Sequence, residues 1–320
     1  MKAAIYTRYG GPEVVSLQEV PKPHPKENEI LIKVHASSVN RTDSGFRSAE
    51  YFISRFFSGL LKPKQPILGC EFSGEVEAIG ENVTLFNIGD HVFGYDDNAF
   101  GGHAEYKTIS ATAAVANLPA NLSYAEGAAL TEGSHYALSN IRAAKVKSGD
   151  TVLVYGATGA IGSAAVQLLK HLGAFVAAVA NTKNVELIKT LGADEVIDYM
   201  TQDFTKTTHR FDFVFDAVGK SSFRQCKPLM KPKGLYVSTE LGKNSENIFL
   251  ALIAPLKKGK KVLFPIPNAK KEDILFLQDL AKNNHFRPVI DREYPLDEIV
   301  EAHRYVETGL KTGNVIIRIA

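Results

Sequence analysis

The segment TVLVYGATGAIGSAAVQLLKHLGA, Thr151–Ala174, decides how the rest of the chain is interpreted. Its first five residues are apolar, aromatic or β-branched and predict a buried strand that ends at Tyr155. Three glycines spaced GxxGxxG follow in Gly156-Ala157-Thr158-Gly159-Ala160-Ile161-Gly162. Glycine permits a tight turn, and the helix predicted after it offers unpaired N–H groups to a pyrophosphate. The segment therefore predicts a dinucleotide-binding turn, preceded by 150 residues of chain.

The two parts of the chain on either side of residue 122 differ in pattern. Residues 1–121 contain short alternating runs such as ILIKVHASSVN, Ile30–Asn40, and predict an antiparallel barrel or a similarly folded sheet. Beyond them, predicted helices alternate with the strand-like runs TVLVY, FVAAVA, EVID, FDFVFD and LYVS, which predicts a parallel sheet covered by helices on both faces. After the run KVLFPI we expect helices over Lys271–Asn283 and Leu296–Thr308, and a last strand in NVIIRIA.

Composition excludes several classes of function. A chain of 320 residues with 45% apolar content usually forms two domains. Its 37 basic and 35 acidic residues give a net charge of +2, so we expect no nucleic acid partner. The first residues lack a signal-peptide core and no run is long enough to span a membrane, which predicts a cytoplasmic location. Cys70 and Cys226, the two cysteines, are expected to be reduced thiols.

The residues after the second predicted strand of the parallel sheet favour NADPH over NADH. An NAD site usually carries a carboxylate at this point to bind the ribose hydroxyls. Here the strand ends in Asn181-Thr182-Lys183, and no carboxylate follows until Glu186. Lys183 would attract a 2′-phosphate, and Asn181 and Thr182 can donate hydrogen bonds to it. The alternative is that Lys183 is a solvated residue at the start of a helix.

Several long motifs together resemble one known family. They are VHASSVNRTD (34–43), GCEFSGEVEAIG (69–80), GDHVFG (89–94), GGHAEY (101–106), GATGAIG (156–162), LGADEVIDY (191–199), FDAVG (215–219) and GNVIIRI (313–319). They make the chain similar to the medium-chain dehydrogenase/reductase superfamily, in its zinc-independent, zeta-crystallin-like quinone oxidoreductase branch. The resemblance implies an α/β fold with a Rossmann doubly wound parallel sheet over residues 122–262. It also implies a GroES-like β-barrel catalytic domain formed by residues 1–121 and 263–320.

The resemblance further implies hydride transfer from NADPH to a small-molecule quinone or α,β-unsaturated carbonyl. Asn40 and Asp43 match the catalytic Asn-x-x-Asp loop, with Asn40 as the orienting donor. The alternative for Asp43 is that it caps the next turn or pairs with an arginine. Further cofactor contacts are implied at Tyr199, Val218 and Gly219. A homodimer through edge strands is implied for the region between FDFVFD and VLFPI.

One departure from the family concerns the proton donor. Relatives place a tyrosine shortly after the Asp, but here Ser44-Gly45-Phe46 follows Asp43. Tyr51 and Tyr95 are candidates for the missing hydroxyl, and solvent is a third. The aromatic segment Ser48–Pro66 is expected either to line an apolar substrate cleft or to pack as an ordinary helix.

No metal is predicted. Cys70 stands where zinc-dependent relatives carry a histidine, and a single thiol does not make a zinc site. The alternative joins Cys70 to His91 or His103 as ligands. Without a Lewis acid, the acceptor must delocalise negative charge by itself, as quinones and enones do.

Two other functions stay open. The first is an NADPH-dependent enoyl-thioester reductase, in which Lys62, Lys64 and the KKGKK run Lys257–Lys261 would form a basic patch for a phosphorylated carrier. The second is an NADPH-binding protein with a mainly non-catalytic role.

Overall fold

The computed structural model describes residues 1–49 and 55–319. Its strands are β1 (Lys2–Ile5), β2 (Ser16–Glu19), β3 (Glu29–Val39), β4 (Glu71–Ile79), β5 (His91–Tyr95), β6 (Tyr106–Ser110), β7 (Val115–Asn117), β8 (Thr151–Tyr155), β9 (Phe175–Ala180), β10 (Glu195–Asp198), β11 (Phe211–Asp216), β12 (Met230–Ser238), β13 (Lys261–Leu263), β14 (Ile290–Pro295) and β15 (Asn314–Arg318). Its α-helices are α1 (Arg41–Ser48), α2 (Arg55–Ser58), α3 (Tyr124–Ala128), α4 (Glu132–Ala144), α5 (Ala160–His171), α6 (Val185–Thr190), α7 (Phe223–Cys226), α8 (Glu246–Leu252), α9 (Lys271–Lys282) and α10 (Ile299–Glu307). Short 3₁₀ turns cover Pro12–Val14, Thr182–Asn184, Phe204–Lys206, Lys227–Leu229, Lys243–Ser245, Ala254–Leu256 and Leu296–Glu298.

The chain divides into two compact units. Unit 1 comprises Met1–Glu132 and Ala269–Ala320, and unit 2 comprises Gly133–Asn268. The first boundary lies after Glu132 rather than at the predicted residue 122, because α3 packs on β3, β4 and β5 of unit 1. The second lies at Ala269 rather than at residue 263, since β13 is still a strand of the unit 2 sheet.

Unit 2 contains a parallel sheet of six described strands in the order β10-β9-β8-β11-β12-β13. This is the 3-2-1-4-5-6 order of a Rossmann sheet, and it reverses between β8 and β11. The Rossmann part of the predicted fold class is therefore confirmed. FDFVFD is β11, which lies between β8 and β12, whereas the run VLFPI begins in β13, at the end of the described sheet. The edges formed by the described strands are β10 and β13.

The central strands β8 and β9 are buried along almost their whole length, as is typical of a parallel sheet with helices on its faces. Val152, Leu153 and Val154 of β8 are fully buried, and β9 is buried from Val176 to Ala180. Helix α5 packs on β8 and β9 and buries alanines, a valine and leucines, while Gln167, Lys170 and His171 are less buried. Lys170 and His171 stand in its last turn, where positive charge favours the helix dipole.

Unit 1 is organised around the long strand β3. Along one edge β3 pairs with β4, and along the other its first half pairs with β6 and its last residues with β15. The chain's last strand thus returns to the sheet of the first part, as predicted. The sheet order is β14-β15-β3-β4-β5-β7, and its pairs are antiparallel except β14 with β15. The inward-facing side chains form the core, with Ile30, Ile32, Val34, Phe72, Val76, Val92 and Val115 among them.

The described helices do not include one that is both long enough and apolar enough to cross a bilayer. Cys70 and Cys226 are free and buried.

Candidate functional site

The glycine turn of unit 2 leads directly from β8 into α5. Gly156 has φ +79°, and an ideal Cβ there would lie 2.5 Å from Val218 Cγ2. At Gly162 an ideal Cβ would lie 2.1 Å from the Gly156 carbonyl oxygen. A side chain at either position would push the turn away from its neighbours. The Ala157 N–H donates to the Val179 carbonyl at 3.1 Å, which ties the turn to β9.

The N-terminus of α5 is open. Gly159 is its N-cap in an extended conformation, and no side chain of the described residues caps it. The first N–H groups of a helix have no partner within the helix, and the helix dipole places partial positive charge there. The N–H groups of Ala160 and Ile161 belong to this first turn, and Thr158 stands half-buried just before it. The arrangement suits a phosphate group.

The other predicted cofactor residues lie at the same edge of the unit 2 sheet. Asn181 precedes the 3₁₀ turn Thr182–Asn184 after β9, where Thr182 and Lys183 are exposed. Tyr199 follows β10 with half of its surface exposed, and its N–H donates to the Ala180 carbonyl. Val218 and Gly219 follow β11. Parallel strands end together, so the sheet brings every predicted cofactor residue to its carboxyl edge.

Asp198 is a residue of this edge that the sequence prediction missed. It ends β10 and pairs in register with Ala180, the last residue of β9. Its Oδ2 accepts a hydrogen bond of 2.8 Å from the Thr182 hydroxyl. A carboxylate is thus present beside the turn after β9, although none follows that strand in sequence before Glu186. The signal was available, since neighbouring parallel strands end side by side.

In unit 1, Asn40 and Asp43 form a complete capping box at the start of α1. Asn40 Oδ1 accepts from the Asp43 N–H at 2.9 Å, and Asp43 Oδ2 accepts from the Asn40 N–H at 3.2 Å. Asp43 Oδ1 also accepts from the Gly69 N–H at 2.9 Å. Burial is the largest influence on the Asp43 carboxyl and raises its pKa. The capping alternative for Asp43 is therefore what the structure shows.

The Asn40 amide group points at a thiol. Its Nδ2 donates to Cys70 Sγ at 3.1 Å and, more weakly, to Ser38 Oγ at 3.4 Å. Burial raises the pKa of Cys70 well above its ordinary value, and the neighbouring carboxylates act in the same direction. Cys70 is therefore a protonated thiol, and its sulfur is a weak acceptor.

Two buried carboxyl groups of unit 1 were not predicted. Glu71 accepts hydrogen bonds from the Thr131 N–H, the Thr131 hydroxyl and the Glu132 N–H, at 3.1, 2.8 and 2.6 Å. Glu132 accepts from the Thr42 hydroxyl at 2.6 Å. Burial, reinforced by the charge of Glu71, raises the pKa of Glu132 to about 8. Nothing in the local sequence marks these acids, because their burial depends on partners up to 90 residues away.

The residues of unit 1 do not fit a metal ion. Over residues 1–49 and 55–319, no group of three or more His, Cys, Asp and Glu side chains is placed to hold one. His103, one proposed partner of Cys70, contacts the Ser38 carbonyl with Nε2 at 2.7 Å. His91, the other, is exposed and its ring stacks on Tyr124. Cys70 itself faces an N–H donor.

The two candidate hydroxyl groups have different outcomes. Tyr51 lies outside the described residues, as does part of the segment Ser48–Pro66. Tyr95 ends β5 and is only 2% exposed, so it does not present its hydroxyl to solvent. In the described part of the segment, Leu61 is 94% exposed, and Phe56 and Leu60 are more than half exposed. These side chains do not pack as the buried face of an ordinary helix.

Comparisons with known proteins agree with this geometry. Residues 26–120 match the family described as alcohol dehydrogenase GroES-like domain, and residues 191–317 match the family described as zinc-binding dehydrogenase. The chain is 32% identical over 329 residues to the 2-methylene-furan-3-one reductase of Solanum lycopersicum, covering 99% of this chain and 79% of the relative. It is 29% identical to an NADPH-dependent alkenal/one oxidoreductase of Arabidopsis thaliana, again over 99% of this chain and 79% of the relative.

Among solved structures, the quinone oxidoreductase from Coxiella burnetii superposes with a TM-score of 0.88 at 31% identity. The match covers 100% of this chain and 99% of that one. The GroES-like part of the predicted fold class is confirmed by the family match over residues 26–120. Sheet order, glycine turn and whole-length similarity agree, and the chain belongs to the medium-chain dehydrogenase/reductase superfamily of oxidoreductases, in its quinone oxidoreductase branch.

Proposed function

We propose that this protein is an NADPH-dependent, zinc-independent reductase of quinones or α,β-unsaturated carbonyl compounds. The observation that carries the proposal is the glycine turn before the open N-terminus of α5, in contact with Val218 where the strand order of the sheet reverses. The names of the relatives support the acceptor class, since they include a furanone reductase, an alkenal/one oxidoreductase and a quinone oxidoreductase.

The residues of unit 2 suit a dinucleotide. The N–H groups at the start of α5 bind the pyrophosphate, and Gly156, Gly159 and Gly162 allow its close approach. The exposed ring of Tyr199 packs at the adenosine end, and Val218 and Gly219 contact the part of the cofactor nearest β11. When bound, the dinucleotide supplies the hydride.

Lys183, with Asn181 and Thr182, selects NADPH by binding the 2′-phosphate. Lys183→Ala should weaken NADPH binding about tenfold and leave NADH binding nearly unchanged, because only NADPH carries the phosphate. Lys189→Ala is the matched control, since Lys189 is also exposed but pairs with Glu186. Asp198→Asn should favour NADPH further by removing a negative charge beside Thr182. Titration of both dinucleotides measures the ratio, and equal losses for both would contradict the assignment.

The acceptor chemistry follows from a site without a Lewis acid. A quinone or an enone spreads the developing negative charge over its own conjugated system, so hydrogen-bond donors suffice to stabilise it. The protonated thiol of Cys70 and its donor Asn40 offer no set of metal ligands, which supports zinc independence.

Asn40 is the proposed orienting donor, and Asp43 is its positioning residue. When the Asn40 amide N–H group turns to a substrate oxygen, it gives up a weak sulfur acceptor and a long hydrogen bond to Ser38 Oγ. Asp43 holds the Asn40 backbone and the Gly69 backbone in place. Asn40→Ser keeps a capping oxygen without adding a buried charge and removes the amide donor, so kcat should fall while thermal stability is retained. An unchanged kcat would remove Asn40 from the reaction.

A homodimer through β13 is also proposed. This strand pairs with β12, and as an edge strand it presents unpaired backbone groups on its other side. Helix α8 packs beside it and, with the turn that follows, exposes Phe249, Leu252 and Leu256 at 64, 73 and 87%. A second copy would bury both features. Leu252→Glu should give a monomer by light scattering, whereas Leu310→Glu, at an exposed leucine of unit 1, should not.

A cytoplasmic location is proposed on the two buried free thiols, which suit a reducing compartment. Fractionation of cells that express the tagged protein tests it.

The first experiment follows NADPH oxidation, with NADH in parallel, in the presence of a chelator and either a simple quinone or an alkenal. Turnover with NADPH despite the chelator is the expected result. NADPH binding without turnover on either acceptor would instead favour a non-catalytic role, and loss of turnover on chelation would contradict zinc independence.

A further inference from the structure

Asp216 is a fully buried carboxylate at the point where the strand order of the unit 2 sheet reverses. It is the last residue of β11 and pairs in register with Tyr155 of β8 and Ser238 of β12. A buried charge is costly unless hydrogen bonds compensate it, so a carboxylate in this position requires an account. Asp216 belongs to the motif FDAVG, of which only Val218 and Gly219 are proposed to contact the cofactor.

Asp216 accepts five hydrogen bonds from described residues, four of them from the turn that follows β11. Oδ1 accepts from the N–H groups of Val218 and Gly219, at 3.1 and 2.8 Å. Oδ2 accepts from the N–H and the hydroxyl of Ser221, both at 2.8 Å. Three of these donors are backbone groups, so the carboxylate fixes the path of the main chain from 218 to 221.

The fifth donor is the hydroxyl of Tyr236 on the neighbouring strand β12, at 3.2 Å from Oδ2. Tyr236 is fully buried in the core of unit 2. Burial, followed by the charge of Asp216, raises the pKa of this phenol, which therefore stays protonated and donates. The turn is thus anchored through Asp216 to the rigid centre of the sheet.

The anchored turn touches the glycine turn. The side chain of Val218 fills the space that a Cβ on Gly156 would need, and Gly219 has φ +64°. The Ala217 N–H donates to the Tyr155 carbonyl at 2.9 Å, which joins the two strand ends. If the bonds to Asp216 were lost, Val218 would be free to move relative to Gly156.

We propose that Asp216 is a positioning residue for the dinucleotide: it holds Val218 and Gly219 against the glycine turn and so sets cofactor affinity without contacting the cofactor. The inference rests on the proposed function, because it assigns unit 2 the binding of a dinucleotide. Ser221 and Tyr236 assist by completing the hydrogen bonds of Oδ2.

The variant Asp216→Asn tests it. An amide places N–H donors against the donors of the turn, so part of the set of bonds is lost. NADPH affinity, measured by quenching of protein or cofactor fluorescence, should fall at least about tenfold. KM for NADPH should rise with it, while kcat at saturating cofactor changes less.

Asp212 provides a matched control on the same strand. Its Oδ2 accepts from the Thr151 N–H and hydroxyl, both at 2.9 Å, and from Lys231 Nζ at 2.7 Å, at the opposite end of the sheet. Asp212→Asn should lower the melting temperature and leave NADPH affinity unchanged. If both variants lose affinity in proportion to their loss of stability, Asp216 is only a structural residue and the inference is overturned.

The outcomes separate the inference from the proposed function. A wild-type protein that does not bind NADPH or NADH contradicts the proposed function itself. Wild-type binding together with equal binding by folded Asp216→Asn overturns the inference alone. If Asp216→Asn does not fold, Ser221→Ala replaces it, since that variant keeps the backbone donor and loses the hydroxyl at 2.8 Å. Its affinity should fall about threefold, and an unchanged affinity overturns the inference.

Discussion

The two units each contain a strand that turns directly into a helix, and the two turns are built in opposite ways. In unit 2, β8 leads into α5 through Gly156–Gly162, and no side chain of the described residues caps the helix. In unit 1, β3 leads into α1 through Asn40, and the capping box with Asp43 occupies two of the first backbone donors. One helix N-terminus is left open, while the other is closed by the protein's own side chains, the Asn40 amide oxygen and the Asp43 carboxylate.

The difference shows how side chains at a helix start decide whether it binds a ligand. In both helices the N–H groups of the first turn have no partner within the helix, and the helix dipole places partial positive charge there. Where side-chain oxygens of the protein itself accept hydrogen bonds from these groups, as in α1, the helix start is stabilised. Where glycine leaves them free, the same groups can serve an external anion.

A side chain added inside the glycine turn between β8 and α5 should have the largest effect. Gly162→Ala places a Cβ about 2.1 Å from the Gly156 carbonyl oxygen, so the turn must move. We expect a loss of about 3 kcal/mol in the free energy of unfolding and loss of NADPH binding. Chemical denaturation and cofactor titration measure the two effects. Gly149→Ala is the control, because it adds the strain of a side chain at φ +84° but no close contact within 4 Å. It should lower the free energy of unfolding and leave NADPH binding intact.

Gly159→Asp converts the open helix start into a closed one. A Cβ at this position has its nearest neighbour at 3.9 Å, so the side chain fits. The new carboxylate caps α5 and repels the pyrophosphate, which should weaken NADPH binding by about 2 kcal/mol, or roughly thirtyfold. Thermal stability should not fall, because Asp is a favourable N-cap. Gly159→Asn separates the cap from the charge and should weaken binding less. Unchanged NADPH affinity in Gly159→Asp would show that α5 does not face the cofactor phosphates.

The closed turn should bring a pH dependence that the open one lacks. Thr42 of α1 donates to Glu132, whose pKa burial raises to about 8 from an ordinary value of 4.5. The folded state therefore binds more protons than the unfolded chain between these pH values, and stability falls as pH rises through this window. The slope from one group is at most about 1.4 kcal/mol per pH unit.

Urea unfolding between pH 5 and 8 measures this slope. Glu132→Gln should flatten it, with a residual part from Glu71, whose pKa burial also raises. Glu186→Gln, at an exposed carboxylate, should leave the slope as in the wild type. The same slope in Glu132→Gln and in the wild type would contradict the assignment.

The smallest effect is expected from opening the closed turn. Asn40→Ala removes the cap of α1 and should cost about 1 kcal/mol of unfolding free energy, with no change in NADPH affinity. Asn40→Ser, which retains a capping oxygen and adds no charge, should keep that stability. If Asn40→Ala changed NADPH affinity without changing the free energy of unfolding, the expectation that Asn40 contributes to the fold only as the cap of α1 would be contradicted.

Local patterns identified the Rossmann sheet because it is built from consecutive strands and helices. The runs TVLVY, FVAAVA, EVID and FDFVFD are β8 to β11 with the bounds that apolar content predicts. The helix predicted over Lys271–Asn283 is α9, Lys271–Lys282. The boundary between the units was less accessible, because α3 is a short helix assigned to unit 1 only by packing on β3, β4 and β5.

The candidate site, like the fold, could be predicted from the sequence only in part. Glycine spacing and the residues after β9 indicated part of the predicted cofactor site, and the family resemblance implied Tyr199, Val218 and Gly219. Asp198 was missed because its contact with Thr182 joins two neighbouring strands, 16 residues apart in sequence. Glu71 lies within the family motif GCEFSGEVEAIG, but its burial beside Thr131 depends on a segment 60 residues away.

By itself, the sequence determined that this protein has a parallel sheet with a glycine turn suited to a dinucleotide and belongs to an oxidoreductase family. The strands, helices and glycine turn depend on the order of residues within short segments, and the family follows from motifs that can be recognised one by one along the chain. Only the tertiary structure decided which carboxylates are buried and what they hold. Asp43 caps α1, Glu132 receives Thr42, and Asp216 gathers its donors from the turn after β11 and from β12. The physical reason is that desolvation and hydrogen bonding of a buried charge depend on groups brought together from distant parts of the chain.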